Sequence, residues 1–304
     1  MTLFNVRILG CGSALPTTLH MPSSQLVNMN GKLFMIDCGE GTQLQMRKFG
    51  VRMSKLHSIF ISHLHGDHVF GLPGLISTLG LLGRTADLTI YAHTEMETLL
   101  RPILNFFCRN LSYNVNIITI PKEGLNIIFE NKSISVSSFP LKHRIASSGF
   151  IFKEKEKQRH IKREMIDFYN IPIREISNIK SGADFMATDG NVIPNSRLTT
   201  PPDPSRSYTY CSDTAYDESI VPYIKRVDVL YHEATFAESE KIRAEKTAHS
   251  TARQAAEIAK MADAKKLVIG HFSSRYTDLD ILLKEAQIIF PKTELADEGK
   301  LIEL

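Results

Sequence analysis

Short apolar runs separated by polar turns dominate this chain. β-Branched and aromatic residues concentrate at Phe4–Leu9, Gln25–Met29, Leu33–Ile36, Ser58–Ser62, Leu88–Tyr91, Asn116–Ile120, Ser133–Phe139, Tyr208–Cys211, Val227–Tyr231 and Lys266–Ile269. Each reads as a strand. A helical apolar period marks Gly41–Phe49, Gly71–Leu82, Thr94–Phe107, His249–Ala262 and Asp278–Ile289. Strands dominate each half and helices lie between and after them, which predicts an α/β protein whose sheets carry helices on their outer faces. The stretch "VPYIKRVDVLYHEATF" followed by "HSTARQAAEIAKMADAKKLVIGH" reads as a strand–helix–strand unit with Ser250 as the helix N-cap.

One segment breaks the pattern. Phe152–Gly182, "FKEKEKQRHIKREMIDFYNIPIREISNIKSG", is densely charged and separates two strand runs. Between Lys153 and Arg163 it holds six Lys or Arg against two Glu, so it is locally basic in a chain whose net charge is only +3. Two readings compete: a solvated helix with internal Glu–Lys pairs, or an inserted arm that touches a polyanion. The near-neutral balance excludes a protein that binds nucleic acid by bulk charge alone, so any basic surface has to be local. Four widely spaced cysteines without a CxxC pair fit reduced, buried thiols rather than a disulfide framework. No run approaches about 18 apolar residues, and the first residues lack a basic stretch leading into a long apolar one. Neither a membrane span nor an export signal is expected, and a cytoplasmic location is.

The candidate chemistry begins at "IFISHLHGDHVFGLPGL", Ile59–Leu75. Three histidines and an aspartate crowd into six residues directly after an apolar strand run. In an extended segment His63 and His65 point the same way, because side chains alternate with a period of two. Asp67 and His68 follow the turn at Gly66 and can face the same volume from another side. Imidazole and carboxylate converging on one point are a ligand set for a borderline cation such as zinc. Three later runs are built alike: "SISVSSFPLKH" ends at His143, "SYTYCSD" at Asp213 and "KKLVIGH" at His271. Each brings one ligand-type residue just past a strand, where layered α/β proteins assemble their sites. Seven donors exceed the need of one tetrahedral ion and suit two metals sharing a carboxylate. His20, His57, His93, His160 and His232 lack that setting or stand beside a stronger candidate and read as ordinary histidines. Cys211 reads as packing beneath the site.

These strings resemble the metallo-β-lactamase superfamily, and within it the ribonuclease Z (tRNA 3′-endonuclease) family, over nearly the whole chain. The superfamily likeness rests on "SHLHGDH", His143, Asp213 and His271. The narrower one rests on "FMIDCGEGTQLQM" (Phe34–Met46), "HEATF" (His232–Phe236), "HST" (His249–Thr251) and "HFSSRY" (His271–Tyr276). The resemblance implies a single domain over residues 1–304, a four-layered αββα sandwich, with a protruding tRNA-binding arm inserted at 151–199 as in the long-arm bacterial form. By the same likeness His63, His65 and His143 bind one zinc, Asp67, His68 and His271 bind the other, and Asp213 bridges. Two Zn2+ per subunit are thus implied, and the same donors accept Mn2+. Asp67 would orient the attacking water or take its proton. His249 resembles the residue that contacts the scissile phosphate or assists the leaving oxygen, with Glu233 holding its tautomer.

Arg159, Lys162 and Arg163 of the arm, and Arg275 in "HFSSRY", are the expected substrate contacts. The arm departs from the family in carrying Pro172 but no Gly-Pro pair. The activity implied is a zinc-dependent endoribonuclease that removes the 3′ trailer of precursor tRNA, in a homodimer where each arm serves the partner's site. Two other readings share the ligand set: a hydrolase of a small ester, thioester or phosphodiester, and an RNA-binding relative without catalysis. The basic arm and the HEAT and HST loops favour RNA, and the filled ligand positions favour catalysis.

Overall fold

A computed structural model describes residues 3–304. Two seven-stranded sheets form the centre. The first runs in the order Leu301–Glu303, Phe4–Gly10, Ser24–Met29, Lys32–Ile36, Leu56–Phe60, Leu88–Ala92 and Val115–Thr119. Its first four strands pair antiparallel, and pairing is parallel from Lys32–Ile36 onward. The second runs Thr293–Leu295, Leu267–Gly270, Val229–Glu233, Ser207–Cys211, Ser147–Glu154, Ile134–Leu141 and Asn126–Glu130, with the first four parallel.

The sheets face each other through aromatic side chains. Phe34 and Phe60 of the first lie 5.3–6.0 Å, ring to ring, from Phe129, Phe150 and Phe152 of the second. Helices Thr42–Lys48, Leu72–Leu81 and Glu95–Phe107 cover the other face of the first sheet, around Met35, Ile59, Leu75 and Leu100. Ala252–Met261, packed on Asp280–Ile289, covers the second. Strands buried on both faces read as continuous apolar runs, which is why Tyr208–Cys211 and Lys266–Ile269 were legible. The layering is the αββα sandwich that the resemblance implies.

Three local expectations are corrected. The helix after "HST" is capped by Thr251, not Ser250. Thr251 Oγ1 accepts from the Gln254 N–H while the Gln254 side chain accepts from the Thr251 N–H, a reciprocal capping box. Ser250 Oγ instead donates to the Thr214 carbonyl. The strand expected at Ser58–Ser62 ends at Phe60, because Ser62 turns its N–H and hydroxyl to Asp37. Ser147–Glu154 is a full strand running into the residues that charge alone assigns to the insertion.

Asn131–Ile134 and Lys153–Arg206 form a compact unit of their own. It is not one solvated helix. Short helices at Arg163–Phe168, Ile173–Lys180 and Asn195–Leu198 and two small ladders enclose Ile171, Ile179, Phe185, Ile193 and Leu198. Asn195 is buried at its centre, its amide donating to the carbonyls of Ile179 and Ala183. The two ends of the insertion meet: Glu154 N–H donates to the Arg206 carbonyl at 2.9 Å, and the Arg206 guanidinium clasps the Glu154 carboxylate at 2.6 and 3.0 Å.

Candidate active site

The strand-end residues converge. His63 and His65 lie in the loop after Leu56–Phe60, and Asp67 and His68 in the short helix Gly66–Val69 that follows. His143, Asp213 and His271 each stand within two residues of the end of a strand in the second sheet. One donor atom each from His63, His65, His143 and Asp213 all lie within 4.8 Å of one another. The same holds for Asp67, His68 and His271. Asp213 stands between the two groups. Its Oδ2 is 3.4 Å from His63 Nε2 and 3.7 Å from His143 Nε2, while its Oδ1 is 3.2 Å from His68 Nε2 and 3.0 Å from His271 Nε2.

The far nitrogens fix how each ring faces the centre. His68 Nδ1 donates to Asp37 at 2.8 Å, and His143 Nδ1 to the Ala248 carbonyl at 2.9 Å. His271 Nδ1 meets Thr235 Oγ1 at 2.9 Å, and that hydroxyl donates onward to Glu233. His63 Nδ1 meets Ser62 Oγ at 3.0 Å, and that hydroxyl donates to Asp37. Each hydroxyl has given its proton away, so it accepts from imidazole. All four rings therefore hold their proton at Nδ1 and turn an Nε2 lone pair inward.

Sequence reasoning gave no role to Asp37, Ser62, Thr235 or the Ala248 carbonyl. Asp37 was visible only as part of the string "FMIDCGEGTQLQM". Its carboxylate accepts from Ser62 N–H, Ser62 Oγ, His68 Nδ1 and Tyr210 OH, all at 2.7–2.8 Å. The same string approaches the histidine loop closely. Cys38 N–H donates to the His68 carbonyl, and a Cβ at Gly39 would come within 2.4 Å of the Asp67 carbonyl oxygen.

This donor set fits cations. His68 Nε2 and His271 Nε2 are buried and make no hydrogen bond. His65 Nδ1 lies 3.0 Å from His63 Nε2 and 3.4 Å from His143 Nε2, so the three nitrogens are close enough to share one cation. Burial pushes His143 down to about 4, against the pull of Asp213, and lowers His65 also, so both are neutral donors at neutral pH. Burial works against the charge of Asp67 and Asp213, yet the neighbouring histidines hold both well below the usual carboxylate range. His68 is pulled up by Asp213, Asp37 and Asp67 despite its burial. Negative charge in the pocket calls for positive charge.

Beside these groups, His249 Nδ1 lies 2.7 Å from Glu233 Oε1. Glu233 is buried and its other contacts are filled by Thr214 N–H and by Thr235. Burial alone would lower His249, but the Glu233 charge and hydrogen bond raise it to about 9. Burial alone would raise Glu233, but His249 draws it down to about 2. Ala14 N–H donates to Asp67 Oδ2 at 2.8 Å. A cleft of about 690 Å3 opens over the site, and exposed Arg144, Arg243 and Arg275 line it.

The arm residues are different. Arg159, half-buried, donates from Nε to Thr199 Oγ1, and Lys162 donates to the Arg197 carbonyl, so both tie the insertion together. Arg163 is exposed. Among the other histidines, His232 is buried and bound to the Glu233 carbonyl, and His20 pairs with Glu298 at 3.1 Å. Cys211 is a buried free thiol.

Known proteins resemble this arrangement along the whole chain. Residues 4–290 match the family model described as Anti-Pycsar protein Apyc1. The ribonuclease Z of Parabacteroides distasonis is 56% identical over 299 residues, covering 98% of each chain. The crystal structure of human tRNase Z, short form, superposes with a TM-score of 0.70 at 25% identity, covering 98% of each chain. The Bacillus subtilis metallo-β-lactamase fold protein YhfI gives the same TM-score at 19% identity over 99% of this chain and 100% of its own, a likeness of fold. With a full-length relative sharing more than half its residues, and a family match that runs nearly end to end, the chain belongs to the Apyc1 family of that description and to the ribonuclease Z family.

Proposed function

We propose that this chain is a dinuclear metal-dependent endoribonuclease that removes the 3′ trailer of precursor tRNA. The observation that carries the reading is the pair of donor groups meeting at Asp213 in a chain 56% identical to a ribonuclease Z. His63, His65 and His143 would hold one cation, Asp67, His68 and His271 the other, with Asp213 shared. Zinc suits the imidazole-rich set, and manganese is accommodated by the same donors. Cations held there supply charge that acidifies a water and draws electron density from the phosphate's non-bridging oxygens.

The remaining work falls to the chain. Asp67, fixed by the Ala14 N–H, orients the attacking water or accepts its proton. His249 carries a proton at neutral pH and gives it to the leaving 3′ oxygen from Nε2, while Glu233 keeps Nδ1–H engaged. Arg275, with Arg144 and Arg243, supplies positive charge for the flanking phosphates. Arg163 of the insertion meets tRNA, with Arg159 and Lys162 shaping the surface it stands on.

A homodimer belongs to the same reading. Leu44, Leu81, Leu99, Phe106 and Phe107, on helices packed against the first sheet, are large apolar side chains left 44–86% exposed. Among the described residues no helix is long and apolar enough to cross a membrane. A cytoplasmic site of action goes with the tRNA substrate.

The test is incubation of the metal-loaded protein with end-labelled precursor tRNA, with the product end mapped beside a chelator-treated control. A single cut at the trailer junction, abolished by chelation, is expected. An intact precursor together with rapid hydrolysis of a small phosphodiester would replace this reading with the small-substrate one.

A further inference from the structure

The helix Gly66–Val69 ends on Phe70, and Phe70 is out of keeping with its neighbours. Val69 and Leu72 are buried in the apolar cluster beneath the first sheet, yet Phe70 between them is 69% exposed. The core has no use for it. Its ring instead lines the catalytic cleft beside His65 and Asp67.

The ring is also held. A Cβ built at Gly66 would fall 2.3 Å from Phe70 Cε2 and 2.5 Å from Cζ, so the aromatic edge rests on the bare Gly66 backbone. The Phe70 N–H donates to the Gly66 carbonyl at 2.9 Å, closing the turn that brings the two together. An aromatic ring supported from below and open to the cleft has little freedom left to lose when a flat partner lands on it. Leu15, 66% exposed, adds a second apolar side chain to the same cleft. In a site that binds single-stranded RNA, the flat apolar partner is a nucleobase.

The geometry of hydrolysis says which base. Water oxygen bonds to phosphorus as the P–O3′ bond breaks opposite it. The 3′ oxygen takes a proton from His249, and the phosphate stays on the 5′ oxygen of the next nucleotide. Phe70 rests on Gly66, the chain neighbour of Asp67, the residue assigned above to the attacking water, whereas the leaving 3′ oxygen is assigned to His249. We propose that Phe70 is the platform on which the first nucleobase of the trailer stacks, setting how single-stranded RNA lies across the cut. The inference rests on the trailer-removal reading and adds a subsite to it.

A kinetic cycle tests it, using wild type, Phe70→Ala and Phe70→Tyr with three precursors: intact, abasic at the first trailer position, and abasic at the nucleotide before the cut. Zinc content and melting temperature establish that the variants are folded and loaded. Phe70→Ala is expected to lower kcat/KM on the intact precursor about tenfold, within the range of base–aromatic stacking, and Phe70→Tyr to restore it. On the precursor lacking the first trailer base, wild type should fall to the level of Phe70→Ala, with no further loss in the variant. A loss of equal size on that precursor overturns the proposal, and so does a loss cancelled only by removing the base before the cut. Wild type failing to cut any precursor would instead sink the trailer reading itself.

Discussion

At the residue scale, the site depends on groups that never touch its centre. Asp37 accepts four hydrogen bonds, and one of them sets which nitrogen of His68 is free to bind. Asp37→Asn keeps the shape but offers one oxygen where two were used. Its amide can turn an N–H toward His68 Nδ1 and move the imidazole proton to Nε2, blocking the donor position. Affinity for the cation held by Asp67, His68 and His271 should drop by roughly 10–100-fold, with the other group less affected. Zinc titration measures both, and two unchanged equivalents would remove Asp37 from this role.

The seven donors themselves were legible because each follows an apolar run. Asp37, Thr235 and the Ala248 carbonyl were not, since their partners lie 31, 36 and 105 residues away along the chain. Backbone conformation was equally hidden. Ala14, Asp37, Asp213, Ala248 and His271 all sit at φ between 54° and 57° or, for His271, at 60°, a left-handed region that non-glycine residues enter at a cost. Strain gathered where the chain must turn from strand to site is a mark of function.

At the scale of elements, charge was a poor guide and burial a good one. Charge leaves the Lys/Arg/Glu block open between a solvated helix and an inserted arm, but Glu154 is buried and joined to Arg206 and to Lys157. Burial alone would raise the Glu154 carboxyl. The Arg206 and Lys157 hydrogen bonds outweigh it and bring it from 4.5 down to about 2. A carboxyl lowered on folding contributes stability above its unfolded value, and loses that contribution as pH falls from about 4.5 through about 2. Its size is on the order of 2–3 kcal/mol. Glu154→Gln should therefore melt at lower temperature than wild type at pH 7, with the gap closing as the pH drops through that window. A gap that stays constant with pH would mean the ion pair does not hold the insertion's ends. Three strands absent from the sequence reading, Asn126–Glu130, Thr293–Leu295 and Leu301–Glu303, are sheet-edge strands with mixed exposure, where alternation is short and weak, while Ser147–Glu154, also absent, is an inner strand whose end merges with the charged block.

At the scale of the whole molecule, the insertion has its own core and its ends meet, so it can be removed at its roots. Replacing residues 155–205 by a short Gly-Ser turn between Glu154 and Arg206 should spare metal binding and hydrolysis of a small phosphodiester. Cleavage of precursor tRNA should be lost. Equal loss of both activities, with metal content intact, would assign the insertion to catalysis rather than to grip. The two donor groups carry a consequence of another kind. His63, His65, Asp67 and His68 follow a strand of the first sheet, and His143, Asp213 and His271 follow strands of the second, and each group draws on both. Neither sheet alone can gather a complete set. A nuclease of this design is born harmless: a copy still lacking its second sheet has no His143, Asp213 or His271 to complete either group, and the cell's RNA meets an active blade only after the two sheets have closed on each other.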